Sequence, residues 1–67
     1  MNKNLLKGKI VSKGKNIETI CEELEISKSA MYRKLNGSSY FNAKEIKKMI
    51  KCLELSNEEM NLIFFNQ

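Results

Sequence analysis

Residues 16–37 read NIETICEELEISKSAMYRKLNG and contain two helical patterns separated by a very short connection. The apolar residues of the first have the i, i+3, i+4, i+7 spacing of an amphipathic helix: Ile17, Ile20, Cys21 and Leu24. Only residues 25–27 separate Leu24 from Lys28, where the second pattern begins. Such a short connection forces the second helix to leave at a steep angle with Ile26 between the two. The stretch therefore predicts a helix-turn-helix made of helices 17–24 and 28–35.

The flanking segments are also helical. After the central stretch, the apolar residues repeat the same helical spacing: Ile46, Met49, Ile50 and Leu53. Asn42 with Glu45, and Ser56 with Glu59, have the spacing of capping boxes, whose side chains satisfy the free amides of a first helical turn. The sequence therefore predicts one all-α domain over residues 1–67, with five helices at 3–13, 17–24, 28–35, 43–53 and 57–65.

Three glycines have different expected roles. Gly14 and Gly37 stand where a helix C-terminus favours a residue that tolerates the left-handed conformation. Gly8 lies inside the first predicted helix, where glycine destabilises the helix by about 1 kcal/mol relative to alanine. It indicates either a close backbone approach or a glycine that is merely tolerated.

Composition excludes several kinds of chemistry. The chain has 67 residues with 12 Lys and Arg, eight acidic residues that are all Glu, and no His. Without His there can be no Ser-His or Cys-His nucleophilic site and no two-His zinc site. Cys21 and Cys52 are too far apart for a CxxC motif. We therefore expect no enzyme activity, no cofactor and no bound metal, and we expect Cys21 to be a small buried hydrophobe.

Charge is distributed unevenly along the chain. The net charge is +4, but residues 26–53 carry seven cations against the single acid Glu45, and residues 16–25 carry four glutamates. A basic stretch inside a folded domain predicts one positive face. The alternative is that lysines simply solvate exposed helix faces.

The second helix of the predicted pair has a continuous polar arc. At about 100° per residue, the polar side chains fall on one side: Lys28, Ser29, Tyr32, Arg33 and Asn36. Met31 and Leu35 fall on the other side, toward a core. Arg and Lys suit guanine acceptors, and Ser and Tyr suit bases or phosphates. With the short turn and the positive charge, the arc favours contact with DNA over a solvated helix face.

The stretch from Leu5 to Phe65 resembles the lambda-repressor-like, Cro and xenobiotic-response-element class of bacterial and phage transcription regulators. Residues 16–27 look like the second helix and turn of that family, and residues 27–37 look like its recognition helix, which ends in Asn-Gly. Residues 41–65 resemble the small phage versions. The resemblance implies a five-helix, sequence-specific DNA-binding regulator, in particular a Cro-like repressor of phage or mobile-element origin that acts by occupying its operator.

The resemblance also implies which residues contact DNA. Base contacts are expected from Lys28, Ser29, Tyr32 and Arg33. Phosphate contacts are expected from Asn36, Ser38, Ser39, Tyr40 and Lys44. The family usually has glycine in the turn where this chain has Glu25, so Glu25 must either adopt a strained left-handed conformation or bend the turn differently.

The last predicted helix carries more apolar surface than one core contact needs. Met60, Ile63 and Phe64 share one face, whereas Leu62 and Phe65 lie on another. Leu62 and Phe65 are the candidate interface of a homodimer that would place two recognition helices about 34 Å apart on DNA. The alternative is a helix wedged into the core on both sides.

The expected partners are a double-stranded DNA operator and a second copy of the chain, with no membrane and no small-molecule ligand. A cytoplasmic location is expected because no apolar run approaches the length of a membrane span and the two cysteines suit a reducing compartment. A protein-interaction module on the same scaffold is the alternative function. It is favoured by the glutamates of the second helix, which would repel phosphate if they faced a duplex: Glu18, Glu22, Glu23 and Glu25.

Overall fold

The computed structural model describes residues 1–65, which form five helices and no strand. Their bounds are α1 Lys3–Ser12, α2 Ile17–Leu24, α3 Lys28–Leu35, α4 Ala43–Cys52 and α5 Asn57–Met60, which continues as a π-helical turn over Asn61–Phe65. The all-α prediction is confirmed, and α2 and α3 have the predicted bounds. None of the helices in this part of the chain is long and apolar enough to cross a membrane.

Each helix begins at an Asn or Ser whose side chain accepts a hydrogen bond from a backbone amide of the first turn. The capping residues are Asn2, Asn16, Ser27, Asn42 and Ser56. Both predicted capping boxes are present, because the carboxylates of Glu45 and Glu59 accept bonds from the amides of Asn42 and Ser56 at 2.9 Å. The sequence therefore fixes the helix starts locally.

The first four helices end in the same way, with a left-handed residue just after the last turn. This residue is Gly14, Glu25, Gly37 or Glu54, with φ between 53° and 86°. In each case the next amide bonds back to the carbonyl five residues earlier, as for Ser38 to Arg33 at 2.9 Å. The predictions for Gly14 and Gly37 are confirmed, and Glu25 adopts the left-handed conformation instead of bending the turn differently.

The core is a single apolar cluster drawn from α1 to α4, the segment between α4 and α5, and the π-helical turn after α5. Its members are Leu6, Ile10, Ile20, Cys21, Leu24, Met31, Leu35, Met49, Leu53, Leu55 and Ile63. No polar or charged side chain within residues 1–65 is buried. The predicted burial of Cys21 is confirmed, and burial raises the pKa of its thiol.

The prediction of one helix over residues 57–65 is wrong in its second half, because Asn61–Phe65 form a wider, π-helical turn. Ile63 is fully buried there, and Phe64 packs edge-on against Phe41 with ring centroids 6.1 Å apart. The carbonyl of Ile63 accepts a hydrogen bond from the amide of Asn2 at 2.7 Å. These contacts with distant parts of the chain distinguish this turn from the α-helix that local periodicity predicts.

Candidate nucleic-acid interface

The turn between α2 and α3 determines how α3 is presented. Ile26 packs against the core, and Ser27 caps α3 by accepting a hydrogen bond from the amide of Ala30 at 3.1 Å. Met31 and Leu35 are buried beneath the helix. One face of α3 is therefore fixed to the core, and its opposite face is left to solvent.

All four predicted base-contacting residues lie on this solvent face of α3. Lys28, Ser29, Tyr32 and Arg33 are exposed, and Tyr32 retains 48% of its accessible surface. Lys28 forms an ion pair with Glu18 of α2, at 3.2 Å between Nζ and Oε1. Within residues 1–65, Arg33 is in no ion pair. Arg33 is therefore the cation of this face whose charge is not balanced by a neighbouring carboxylate.

The predicted phosphate-contacting residues lie on the loop between α3 and α4 and on the first turn of α4. Asn36, Ser38, Tyr40 and Lys44 are exposed, and Ser39 is half-buried. Tyr40 is 88% exposed, so its ring has little contact with the rest of the domain. The chain that directly follows α3 therefore presents an amide, two hydroxyls and a phenol.

Lys34 holds this loop in place, a role that the sequence did not reveal. Its Nζ lies 3.3 Å from a carboxylate oxygen of Glu45, donates to the carbonyl of Tyr40 at 3.1 Å and stands 5.7 Å from the ring centre of Phe41. Its side chain is only 13% exposed. At about 100° per residue, Lys34 falls outside the polar arc of α3, whereas Arg33 falls within it. This difference is the sequence signal that could have assigned the two cations different roles.

The glutamates of α2 are largely paired with lysines. Glu23 lies 3.0 Å from Lys15, and Glu25 lies 3.0 Å from Lys48 of α4, which lowers the pKa of the Glu25 carboxyl. Glu18 pairs with Lys28, as described above. Among the residues described, Glu22 is the α2 glutamate without an ion pair. The repulsion of phosphate by α2 is therefore weaker than four free carboxylates would produce.

Cys52, near the end of α4, lies beside Glu23. Burial and the neighbouring carboxylate raise the pKa of the Cys52 thiol to about 11. The hydrogen bond to Cys52 and the pairing with Lys15 lower the pKa of Glu23. The thiol is therefore protonated at neutral pH.

The family model of the BetR domain matches residues 2–63, which include α2, α3 and the loop to α4. No curated protein and no solved structure matches the chain. The match covers nearly the whole chain, and the chain belongs to the BetR domain family. This family is a helix-turn-helix-like DNA-binding domain found in some regulators.

Proposed function

We propose that this BetR-domain chain is a sequence-specific DNA-binding transcriptional regulator whose helix α3 lies in the major groove. The observation that carries the proposal is the exposed face of α3, where the polar side chains lie opposite the buried Met31 and Leu35. A helix fixed to a core on one side and polar on the other is what a recognition helix requires. The proposal includes no catalytic step, no cofactor and no small-molecule ligand.

Within this proposal, the side chains divide into two groups. Arg33, Lys28, Ser29 and Tyr32 read base edges, with Arg33 suited to the paired acceptors of guanine. Lys28 exchanges its ion pair with Glu18 for a base or phosphate acceptor when DNA binds. Phosphates are held by Asn36, Ser38, Ser39, Tyr40 and Lys44, and these contacts set the register of α3 without reading sequence.

The finer proposal is a Cro-like repressor of phage or mobile-element origin that acts in the cytoplasm as a homodimer on a palindromic operator. Successive major grooves on one side of a duplex lie about 34 Å apart. The chain measures 28 × 25 × 21 Å, too small to enter two of them. Leu62 and Phe65, 40% and 61% exposed, are the proposed dimer contact. Occupancy of the operator would exclude polymerase.

The base-reading role is tested by comparing Arg33→Ala with Lys44→Ala. The operator is first selected from a random duplex library, and affinities are then measured for that site and for random duplex. Arg33→Ala is expected to weaken operator binding by about 1–3 kcal/mol and to relax base preference at one position. Lys44→Ala is expected to weaken binding to both duplexes alike. Equal losses on both duplexes for Arg33→Ala would contradict base reading by this side chain.

A protein-interaction module is the second candidate. It is favoured by a depression of about 330 Å³ at the helix-turn-helix turn that is lined by Glu18, Glu22 and Glu25 together with Lys28. A basic protein segment would fit this acidic depression better than a phosphate would. A salt titration distinguishes the two functions, because duplex binding weakens steeply with salt. Absence of duplex binding at low salt would favour the protein partner.

A further inference from the structure

The outer face of α4 carries a row of lysines, defined as Lys44, Lys47 and Lys51. We infer that this row is a second phosphate-binding surface, which follows the DNA backbone beyond the contacts made by α3 and its loop. The inference rests on the proposed DNA binding and extends it to two residues, Lys47 and Lys51, that neither the motif nor the family resemblance singles out.

The first argument is the distribution of ion pairs. Half of the twelve cations are paired with glutamates within residues 1–65: Lys9 with Glu59, Lys13 with Glu54, Lys15 with Glu23, Lys28 with Glu18, Lys34 with Glu45, and Lys48 with Glu25. The three lysines of the row are exposed and belong to none of these pairs. With Arg33, they concentrate on two neighbouring helices as much uncompensated charge as the net +4 of the whole chain.

The second argument is the geometry of α4. At about 100° per residue, Lys44, Lys47 and Lys51 fall within about 60° of one another on the helix surface. They span about 10 Å along the axis at about 1.5 Å per residue. Glu45, the only acid of α4, falls outside this arc and is bonded to Lys34. The row is therefore a narrow cationic strip that no acid of α4 interrupts.

The third argument is the position of the strip relative to the helix-turn-helix. Lys48, which follows Lys47 and lies about 40° from Lys44 around the helix, bonds to Glu25 in the turn between α2 and α3 at 3.0 Å. Electrostatic attraction from Lys44 also helps to lower the pKa of Glu25. The Lys44 end of the strip therefore lies beside the turn of the helix-turn-helix.

Duplex DNA is the polyanion that this placement fits. Each strand carries one phosphate per about 3.4 Å of helix axis, and because the strand also winds around that axis, successive phosphates lie farther apart along the backbone, so a strip of about 10 Å can meet about two of them. Lys44 is already proposed to contact a phosphate, and Lys47 and Lys51 continue from it in the same arc. The strip adds affinity and salt dependence without adding sequence preference, because phosphates carry no base information.

Salt-dependent binding to random duplex tests the strip. The variants are Lys47→Gln and Lys51→Gln, and the matched control is Lys7→Gln. This control removes from α1 one charge that is exposed and in no ion pair among residues 1–65. Affinity is measured from about 50 to about 200 mM salt. Each strip variant is expected to reduce the slope of log affinity against log salt by about 0.9, and Lys7→Gln is expected to leave it unchanged. Thermal unfolding confirms that the three variants remain equally folded.

The possible results separate the strip from the proposed function. If the unmodified chain binds duplex and both strip variants retain its slope, the phosphate-binding role of the strip is wrong and the DNA-binding function stands. If Lys7→Gln reduces the slope as much as the strip variants do, the effect reflects the overall charge of the protein, and the phosphate-binding role of the strip is again wrong. If the unmodified chain binds no duplex at low salt, the proposed function itself fails.

Discussion

Four residues hold the left-handed backbone conformation after a helix, and two of them are glutamates. An L-residue in this conformation is less stable by about 1–2 kcal/mol than in the right-handed region. Glu25 pairs with Lys48 of α4 at 3.0 Å, and Glu54 pairs with Lys13, the residue after α1, at 3.1 Å. Each glutamate therefore ends its helix and also contacts a neighbouring one, which glycine could not do.

Gly8 differs from the glycines that end helices. Of the two explanations for it, close backbone approach is wrong, because no heavy atom from beyond its chain neighbours and the nearby backbone of its own helix lies within 4 Å of a Cβ built at this position. Gly8→Ala is therefore expected to raise the free energy of unfolding by about 0.5–1 kcal/mol, since alanine loses less backbone entropy in a helix. Urea unfolding measures the change.

Gly14→Ala is the matched control for that substitution. Gly14 has φ +70°, so alanine there is strained although the surrounding space is open. We expect the control to lower the free energy of unfolding by about 1–2 kcal/mol. Destabilisation by Gly8→Ala would show that the first helix needs glycine for a reason other than space.

At the scale of elements, α3 and α4 are joined through Lys34. The side chain of Glu45 is 12% exposed, and its carboxylate takes part in both the capping box of α4 and the contact with Lys34. Lys34→Met keeps most of the hydrocarbon chain and removes the charge, which leaves this carboxylate without its cation. The variant is expected to be about 1–3 kcal/mol less stable in urea unfolding.

Lys47→Met serves as the control, because Lys47 lies on α4 but is exposed and unpaired within the described residues. Its effect is expected to stay within about 0.5 kcal/mol. Equal losses for the two variants would mean that Lys34 contributes no specific contact between the helices.

The start of α5 is bonded to α1 through Glu59 and Lys9. The hydrogen bond from Lys9 and that from the backbone of Ser56 lower the pKa of Glu59 from 4.5 to about 2. A lowered pKa stabilises the fold above the usual value of the carboxyl, so this contribution is complete above pH 4.5 and is lost as pH falls toward 2. Acid unfolding should therefore include the loss of this contact.

Glu59→Gln tests the pH dependence. Glutamine keeps the capping box, so the variant removes only the charge that pairs with Lys9. We expect lower stability at neutral pH and a shallower fall in the free energy of unfolding between pH 4.5 and 2. Glu58→Gln, at a neighbouring exposed position, should follow the unmodified protein. A curve for Glu59→Gln parallel to that of the unmodified protein would contradict the lowered pKa.

At the scale of the whole molecule, the proposed dimer would cover apolar surface that one copy leaves exposed. We expect sedimentation equilibrium to give twice the chain mass of 7.8 kDa at high concentration. Phe65→Ser is expected to remain monomeric, because it removes the most exposed apolar side chain of the proposed contact. Val11→Ser, at a 72% exposed position on α1, is the control and should still dimerise. A chain that is monomeric at every concentration would contradict the proposed dimer interface.

Local signals predicted much of this fold. The apolar spacing of α2 and α4, the capping boxes and the glycines that end α1 and α3 each involve residues within a few positions of one another. The left-handed Glu54 and the π-helical turn at Asn61–Phe65 were missed, because glutamate rarely ends a helix this way and the turn contacts Asn2 and Phe41.

The candidate site divides in the same way. The sequence by itself determined the polar face of α3, because helical periodicity decides which side chains lie opposite Met31 and Leu35. Only the tertiary structure decided which cations remain unpaired, since the glutamates that bond Lys28, Lys34 and Lys48 lie on other elements of the fold. The net charge can be counted from the sequence, but which charges are neutralised depends on contacts between residues that are distant in sequence. On α3 and α4, the fold therefore leaves Arg33 and the lysine strip as the cations without an ion pair among the described residues.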